Sequence, residues 1–362
     1  MGMIRVLVVE DSLSQRHRLV SLIRESAGMV VVGEAGDGVE ALEMVEKLRP
    51  DVVSMDLRMP RLNGVDATRE IMGQFPTPIV VVSNSASDSE ITMQAMQAGA
   101  LAAIEKPPAD DHADFARRRD ELVSMLRLMA GVRVIRHWPV AVPTGSFRPT
   151  ERVRTGLRGT GPLSSSLLYC NEAAPPEIVV IGASAGGPSA LVEVLGSLSA
   201  SLELPILIVQ HLTSDFMPGL ADWLNRSCAL PVRLARRGEP LTPGTVVLAP
   251  GGSHLGIGTD RRIVLDSNPN GYRHQPAADV LLESAAAEYG PHAIGVILTG
   301  MGDDGALGLR AMRTAGARTV AQNRETCIVF GMPAAAIALE AAEFVLPLDK
   351  IGSAIMTLSG CG

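Results

Sequence analysis

Along the first 130 residues, short apolar runs alternate with amphipathic stretches. The runs at 4–9, 29–33, 51–55, 79–82 and 101–104 are rich in Val and Ile and are too short for helices, so they predict strands. Between them, residues 12–26, 39–48, 65–75, 88–98 and 113–129 repeat apolar positions at helical spacing. Turn and stop signals sit where the two patterns meet: Ala35-Gly36-Asp37-Gly38, Arg49-Pro50 and Gly99. Five strands alternating with five helices predict an α/β fold, a parallel sheet with helices on both faces. Ligands in such sheets bind beyond the carboxyl ends of the strands.

The alternation resumes near residue 176. Strands are predicted at 178–181, 205–209, 232–234, 245–248, 263–265, 293–298, 318–321 and 344–346. Helices are predicted at 189–198, 216–224, 277–289, 305–315, 334–340 and 351–358. This is a second doubly wound α/β sheet, mostly parallel, with an antiparallel stretch expected around 232–265. Residues 131–175 lack periodicity, are rich in Pro, Gly, Ser and Thr, and are net basic; they read as a linker. The chain thus divides into 1–130, 131–175 and 176–362.

Composition narrows the function classes. Both flanking units are acidic within a net charge of −7, which argues against nucleic acid as a partner. No apolar run reaches the ~18 residues of a membrane span. The start, MGMIRVLVVEDS, turns acidic at once and is no secretory signal. Val6 stands where myristoylation wants a hydroxyl. Four scattered cysteines, with no C-x-x-C pair, predict reduced thiols and a cytoplasmic protein, with neither a disulfide framework nor a zinc site.

The predicted strand ends carry the chemistry. In the first unit they hold Glu10 and Asp11, Asp56, Ser83 and Lys106. Three carboxylates crowded at one edge need a cation, and an all-oxygen set suits magnesium. A metal beside an exposed carboxylate also fits phosphoryl transfer onto that carboxylate, with Lys106 neutralising charge and Ser83 reading out the phosphate. This half resembles the receiver domain of two-component response regulators. The resemblance implies that Asp56 accepts a phosphoryl group from a histidine kinase and that Glu10, Asp11 and Asp56 hold Mg2+. Arg58 would lend the metal its backbone carbonyl, and Ser83 and Lys106 would be the switch residues.

In the second unit, Ile178-Val-Val-Ile-Gly-Ala-Ser-Ala-Gly-Gly-Pro188 reads as strand, tight turn and helix. It places Ser184 beside the free N–H groups of a helix start, where an oxyanion can be held. His211 ends the next predicted strand, and Asp303 and Asp304 follow the strand at 293–298. Nucleophile, base and one of two competing acids from three strand ends form a hydrolase constellation. His254 and His274 lie in loops able to line that edge. At these residues the half resembles the chemotaxis protein-glutamate methylesterase family, through GASAGG around Ser184, QHL around His211 and GMGDDG around Asp304.

The resemblance implies a phosphorylation-activated serine esterase in which Ser184 attacks glutamate γ-methyl esters on methyl-accepting chemoreceptors. His211 would be the base and Asp304 its orienting acid, with Ala185, Gly186 and Met301 near the substrate. Hydrolysis would need no cofactor, and the same site would deamidate receptor glutamines. Ala185 replaces a usual threonine, and Leu212 a usual methionine. Two other readings remain. One is a phosphorylation-switched adaptor with an inactive hydrolase fold. The other is a dinucleotide-binding output domain, suggested by Gly182-x-x-x-Gly186-Gly187 but lacking an acid at the end of the next strand.

Overall fold

In the computed structural model, residues 2–83, 89–109, 111–132, 134, 174–268 and 271–360 are described. The linker expected over 131–175 falls almost wholly outside them. The first unit runs β1 (Ile4–Val9), α1 (Leu13–Arg24), β2 (Met29–Ala35), α2 (Gly38–Leu48), β3 (Val52–Met55), α3 (Gly64–Gln74), β4 (Ile79–Ser83), α4 (Ser89–Gln97), β5 (Ala102–Glu105) and α5 (Phe115–Met129). Its strands lie in the order β2-β1-β3-β4-β5, and all pairs are parallel. Side-chain caps start two of the helices: Asp37 accepts from Val39 N and Glu40 N, and Asn63 from Asp66 N. Because helices cover both faces, β3 and β4 are buried at every position, which is why they read as continuous apolar runs.

The second unit contains β6 (Ile178–Ala183), α6 (Gly187–Gly196), β7 (Ile206–Gln210), α7 (Met217–Ser227), β8 (Val232–Leu234), β9 (Val246–Leu248), β10 (His254–Ile257) and β11 (Ile263–Asp266). Then come α8 (Ala278–Tyr289), β12 (Ala293–Ile297), α9 (Ala306–Thr314), β13 (Arg318–Gln322), α10 (Met332–Ala338), β14 (Phe344–Leu346) and α11 (Leu348–Leu358). Seven strands form one parallel sheet in the order β14-β13-β12-β6-β7-β9-β8. The chain moves from β6 to β7 in one direction and from β12 through β13 to β14 in the other, while β9 lies inside the edge strand β8. The switch point, where α/β sheets bind their ligands, therefore falls between β12 and β6, with β7 adjoining it.

The antiparallel stretch is narrower than expected. β8 joins the main sheet in parallel with β9, and only β10 and β11 pair antiparallel, as a separate two-stranded ribbon. β10 was not foreseen, because His254-Leu-Gly-Ile is too short and too broken by a glycine to show a period.

The two units touch. Helix α4 packs against α7, against the 3-10 turn Ser214–Phe216 that precedes it, and against α6. Among the described residues, no helix is long and apolar enough to cross a membrane.

Candidate active site

The three strands at the switch point bring the expected residues to one edge. β6 and β7 pair through Ala183 and Gln210, so Ser184 and His211 are the next residues on adjacent strands. On the other side of β6, Ser184 N–H donates to Thr299 O at 3.0 Å, carrying the β12 pairing past the strand end. Ser184 is half-buried, and His211 and Asp304 expose 10% of their side chains each.

His211 and Asp304 are in contact. His211 Nε2 and Asp304 Oδ2 lie 2.7 Å apart. Asp304 also accepts from two backbone N–H groups at the start of α8, Ala278 N to Oδ2 at 2.7 Å and Asp279 N to Oδ1 at 3.0 Å. Burial alone would raise the Asp304 pKa. The hydrogen bond and charge of His211, with the two backbone donors, outweigh burial and hold it below the usual carboxylate value. An ionised Asp304 accepts only, so Nε2 carries the ring proton. His211 Nδ1 is buried without a hydrogen-bond partner among the described residues, and its lone pair is open to take a proton. Asp304 meets the histidine, whereas Asp303 is exposed and offers α9 its backbone carbonyl, which accepts from Ala306 N.

The turn after β6 leaves two backbone N–H groups beside Ser184. Gly186 takes a left-handed conformation, φ 77°, at the N-cap of α6. The N–H groups of Ala185 and Gly186 make no hydrogen bond among the described residues. They stand next to Ser184 at the positive end of a helix. The side chain of Ala185 is a buried methyl in an apolar cluster with Val329, so it adds no hydroxyl there. Met301 is 43% exposed at the rim.

Four further residues shape this edge. Gln210 is buried, and its Nε2 donates to both Ser184 O (2.8 Å) and His211 O (3.0 Å), tying the two backbones together. The Thr299 hydroxyl donates to Ala185 O at 2.9 Å and accepts from Val329 N. Gly300 is needed for close approach, since a Cβ there would sit 2.8 Å from Ser184 Cβ and closer still to Met332 Sδ. His274 stacks on His211 with ring centroids 4.2 Å apart. Burial of its ring and the neighbouring His211 lower the His274 pKa, so it is neutral at neutral pH. Sequence reasoning noted only His274 among these, as a loop residue near the site; the others depend on cross-strand register, which local pattern does not carry.

The first unit gathers its expected residues too. Glu10, Asp11 and Asp56 bring carboxylate oxygens within 4.8 Å of one another, an all-oxygen donor set that fits a magnesium ion. Glu10 and Asp56 are buried and Asp11 is exposed. Lys106 Nζ lies 2.8 Å from Glu10 Oε2 and 3.0 Å from Asp56 Oδ1. Burial raises the pKa values of Glu10 and Asp56, against the opposing Lys106 charge. Burial would lower the Lys106 pKa, but the two carboxylates outweigh it and raise it. Ser83 is buried at the end of β4, directly paired with Glu105.

Comparison with known proteins agrees with this arrangement. A model described as CheB methylesterase matches residues 179–355, and one described as response regulator receiver domain matches residues 6–114. A protein-glutamate methylesterase/protein-glutamine glutaminase of Myxococcus xanthus is 41% identical over 97% of this chain and 95% of its own length. The chain belongs to the protein-glutamate methylesterase/protein-glutamine glutaminase family. Another member of that methylesterase family, from Nitrosospira multiformis, is 41% identical over 98% of this chain and 97% of its own length. Among solved structures, the catalytic domain of the Thermotoga maritima CheB methylesterase is 38% identical. It covers 51% of this chain and 100% of that one, with a TM-score of 0.49.

Proposed function

We propose that this chain removes γ-methyl esters from glutamates of methyl-accepting chemoreceptors, releasing methanol, and deamidates receptor glutamines. We also propose that phosphorylation of Asp56 switches it on. The observation that carries the chemistry is that His211, held by Asp304 through Nε2 and open at Nδ1, follows the residue paired with Ala183, so that it stands beside Ser184 at the end of the neighbouring strand. Ser184 Oγ adds to the ester carbonyl while Nδ1 takes its proton. The N–H groups of Ala185 and Gly186 hold the oxyanion. Collapse breaks the bond to the methoxy oxygen, which leaves as methanol with the proton from His211. Water then adds to the acyl-enzyme, His211 again taking a proton, and the glutamate carboxyl is freed. With glutamine the leaving group is ammonia. Asp304 stays ionised and stabilises the imidazolium in both halves.

The dinucleotide-binding alternative wants an acid at the end of β7, where Gln210 stands with its amide already committed to two carbonyls.

Control follows from the packing of α4 on the turn Ser214–Phe216 and on α7, a few residues beyond His211. Docked there, the receiver unit crowds the cleft. In the receiver, Glu10, Asp11 and Asp56 would hold Mg2+, which neutralises phosphoryl charge during transfer from a histidine kinase. A tenfold activation requires about 1.4 kcal/mol of weaker docking, within reach of one phosphate at a small interface.

The test is methanol release from radiomethylated chemoreceptor membranes, with and without a small phosphodonor and magnesium. Release that rises with phosphodonor is expected. Release without the rise rejects the switch and keeps the esterase. No release, with Asp56 still phosphorylated, favours the adaptor. Removal of residues 1–175 is expected to raise basal release; a fragment no faster than the intact unphosphorylated chain rules out simple occlusion.

A further inference from the structure

Asp279 has no part in the chemistry above, yet it is buried (8% exposed) in the first turn of α8, directly behind Asp304. Its Oδ1 accepts from Gly308 N, in the first turn of α9, at 2.7 Å. Its own N–H donates to Asp304 Oδ1 at 3.0 Å. Asp304, in the loop entering α9, thus caps α8, and Asp279, in α8, caps α9. Each helix holds the other's N-terminal turn through a carboxylate. The contact is close because position 308 has no side chain. A Cβ there would lie 2.7 Å from Leu282 Cβ and 2.9 Å from Asp279 O.

We propose that Asp279 is a positioning residue of the active site. It locks the first turn of α9 onto that of α8, which fixes Asp304 and, through it, the His211 ring. The proposal rests on the triad reading above. An acid in the first turn of a helix often serves only that helix's dipole, at the surface. Asp279 is instead buried and spends its acceptor on a neighbouring helix.

Burial pushes the Asp279 pKa up to about 6; the Gly308 and Gly305 N–H groups oppose this, and the charges of Asp304 and Glu283 add to it. The charged and titratable groups around it among the described residues are Asp304 from the α9 loop, Glu283 on α8 and Tyr272 from the preceding loop. At pH 7 to 8 Asp279 is ionised and accepts only, which suits the backbone N–H groups at the start of α9.

The experiment compares the full-length wild type with Asp279→Asn and Asp279→Ala. It reads kcat and KM for methanol release, and the His211 imidazole resonances by NMR at one fixed pH, assigned with His211→Gln. Asparagine keeps the acceptor for Gly308 N. Asp279→Ala is expected to lose about tenfold or more in kcat with KM within about twofold, and to displace or broaden the His211 resonances. Asp279→Asn should restore kcat to within about threefold and return those resonances toward their wild-type positions. A folded Ala variant with wild-type kcat overturns the lock, and so does an Asn variant that loses as much kcat as the Ala variant. Should wild type itself release no methanol, the esterase reading fails, and the imidazole resonances of the two variants still decide the role of Asp279.

Discussion

Ser184→Ala is expected to reduce methanol release by at least about 10⁴-fold while leaving the fold and Asp56 phosphorylation intact. The size of the loss follows from the lack of a substitute nucleophile. Without Oγ no acyl-enzyme forms, and only binding and the oxyanion donors remain to speed attack by water. The selectivity follows from how the turn is built. Ser184 supports the fold through its backbone: its N–H donates to Thr299 O, and its carbonyl accepts from Gly187 N and Gln210 Nε2. None of these bonds uses the hydroxyl, so the stability change should stay within about 0.5 kcal/mol. Methanol release, thermal melting and phosphoryl incorporation from a small phosphodonor measure the three quantities. Turnover retained near the wild-type rate would remove Ser184 from the mechanism.

Asp304→Asn should come close to this in activity and differ in stability. Three N–H groups converge on the Asp304 carboxylate: His211 Nε2, Ala278 N and Asp279 N. An asparagine has one acceptor oxygen and one donor amide. With the amide toward His211, Nε2 must accept, the proton moves to Nδ1, and the base is lost. With the amide toward Asp279 N–H, two donors face each other at a buried helix start. A triad acid replaced by its amide costs about 10⁴-fold in kcat where the wrong tautomer results. The unmatched donor costs about 1–3 kcal/mol of stability. The depressed Asp304 pKa also contributes stability, present above the unfolded value near 3.8 and lost as pH falls through the folded value. The variant should therefore show less of the acid destabilisation seen in wild type. Asp303→Asn is the control, expected to leave kcat within about twofold because surface changes of this kind are small. Equal losses in the two variants would undo the assignment of the acid.

Much of this was legible in the sequence because it lay at strand ends. Apolar runs bounded by glycine, serine or acid locate both the strands and the edge where they stop, so Glu10, Asp56, Ser184, His211 and the Asp303-Asp304 pair all stood out. What supports them did not. Gln210 looks like an ordinary residue ending β7 until the β6–β7 register shows its amide between two carbonyls. The Thr299 hydroxyl and Gly300 matter only because β12 lies beside β6, a neighbour more than 100 residues away in sequence. Asp279 reads as a favourable charge on its own helix, and only the packing of α8 on α9 gives it a second use. Of the antiparallel segment, β11 was visible as a strand, but its partner β10 and its separation from the main sheet were not.

The packing of α4 against α7 and the turn beyond His211 has a consequence for the receiver itself. Coupling between two sites is reciprocal. If a phosphoryl group on Asp56 weakens this contact by some factor, the contact makes that phosphoryl group less stable by the same factor. The esterase unit then acts as a load on the aspartyl-phosphate, drawing its equilibrium toward hydrolysis for as long as the two units stay together. Whatever holds them apart, a bound receptor helix included, lightens that load. Engagement of substrate would then prolong the signal that permitted it, with no residue beyond those at the contact needed to form the loop.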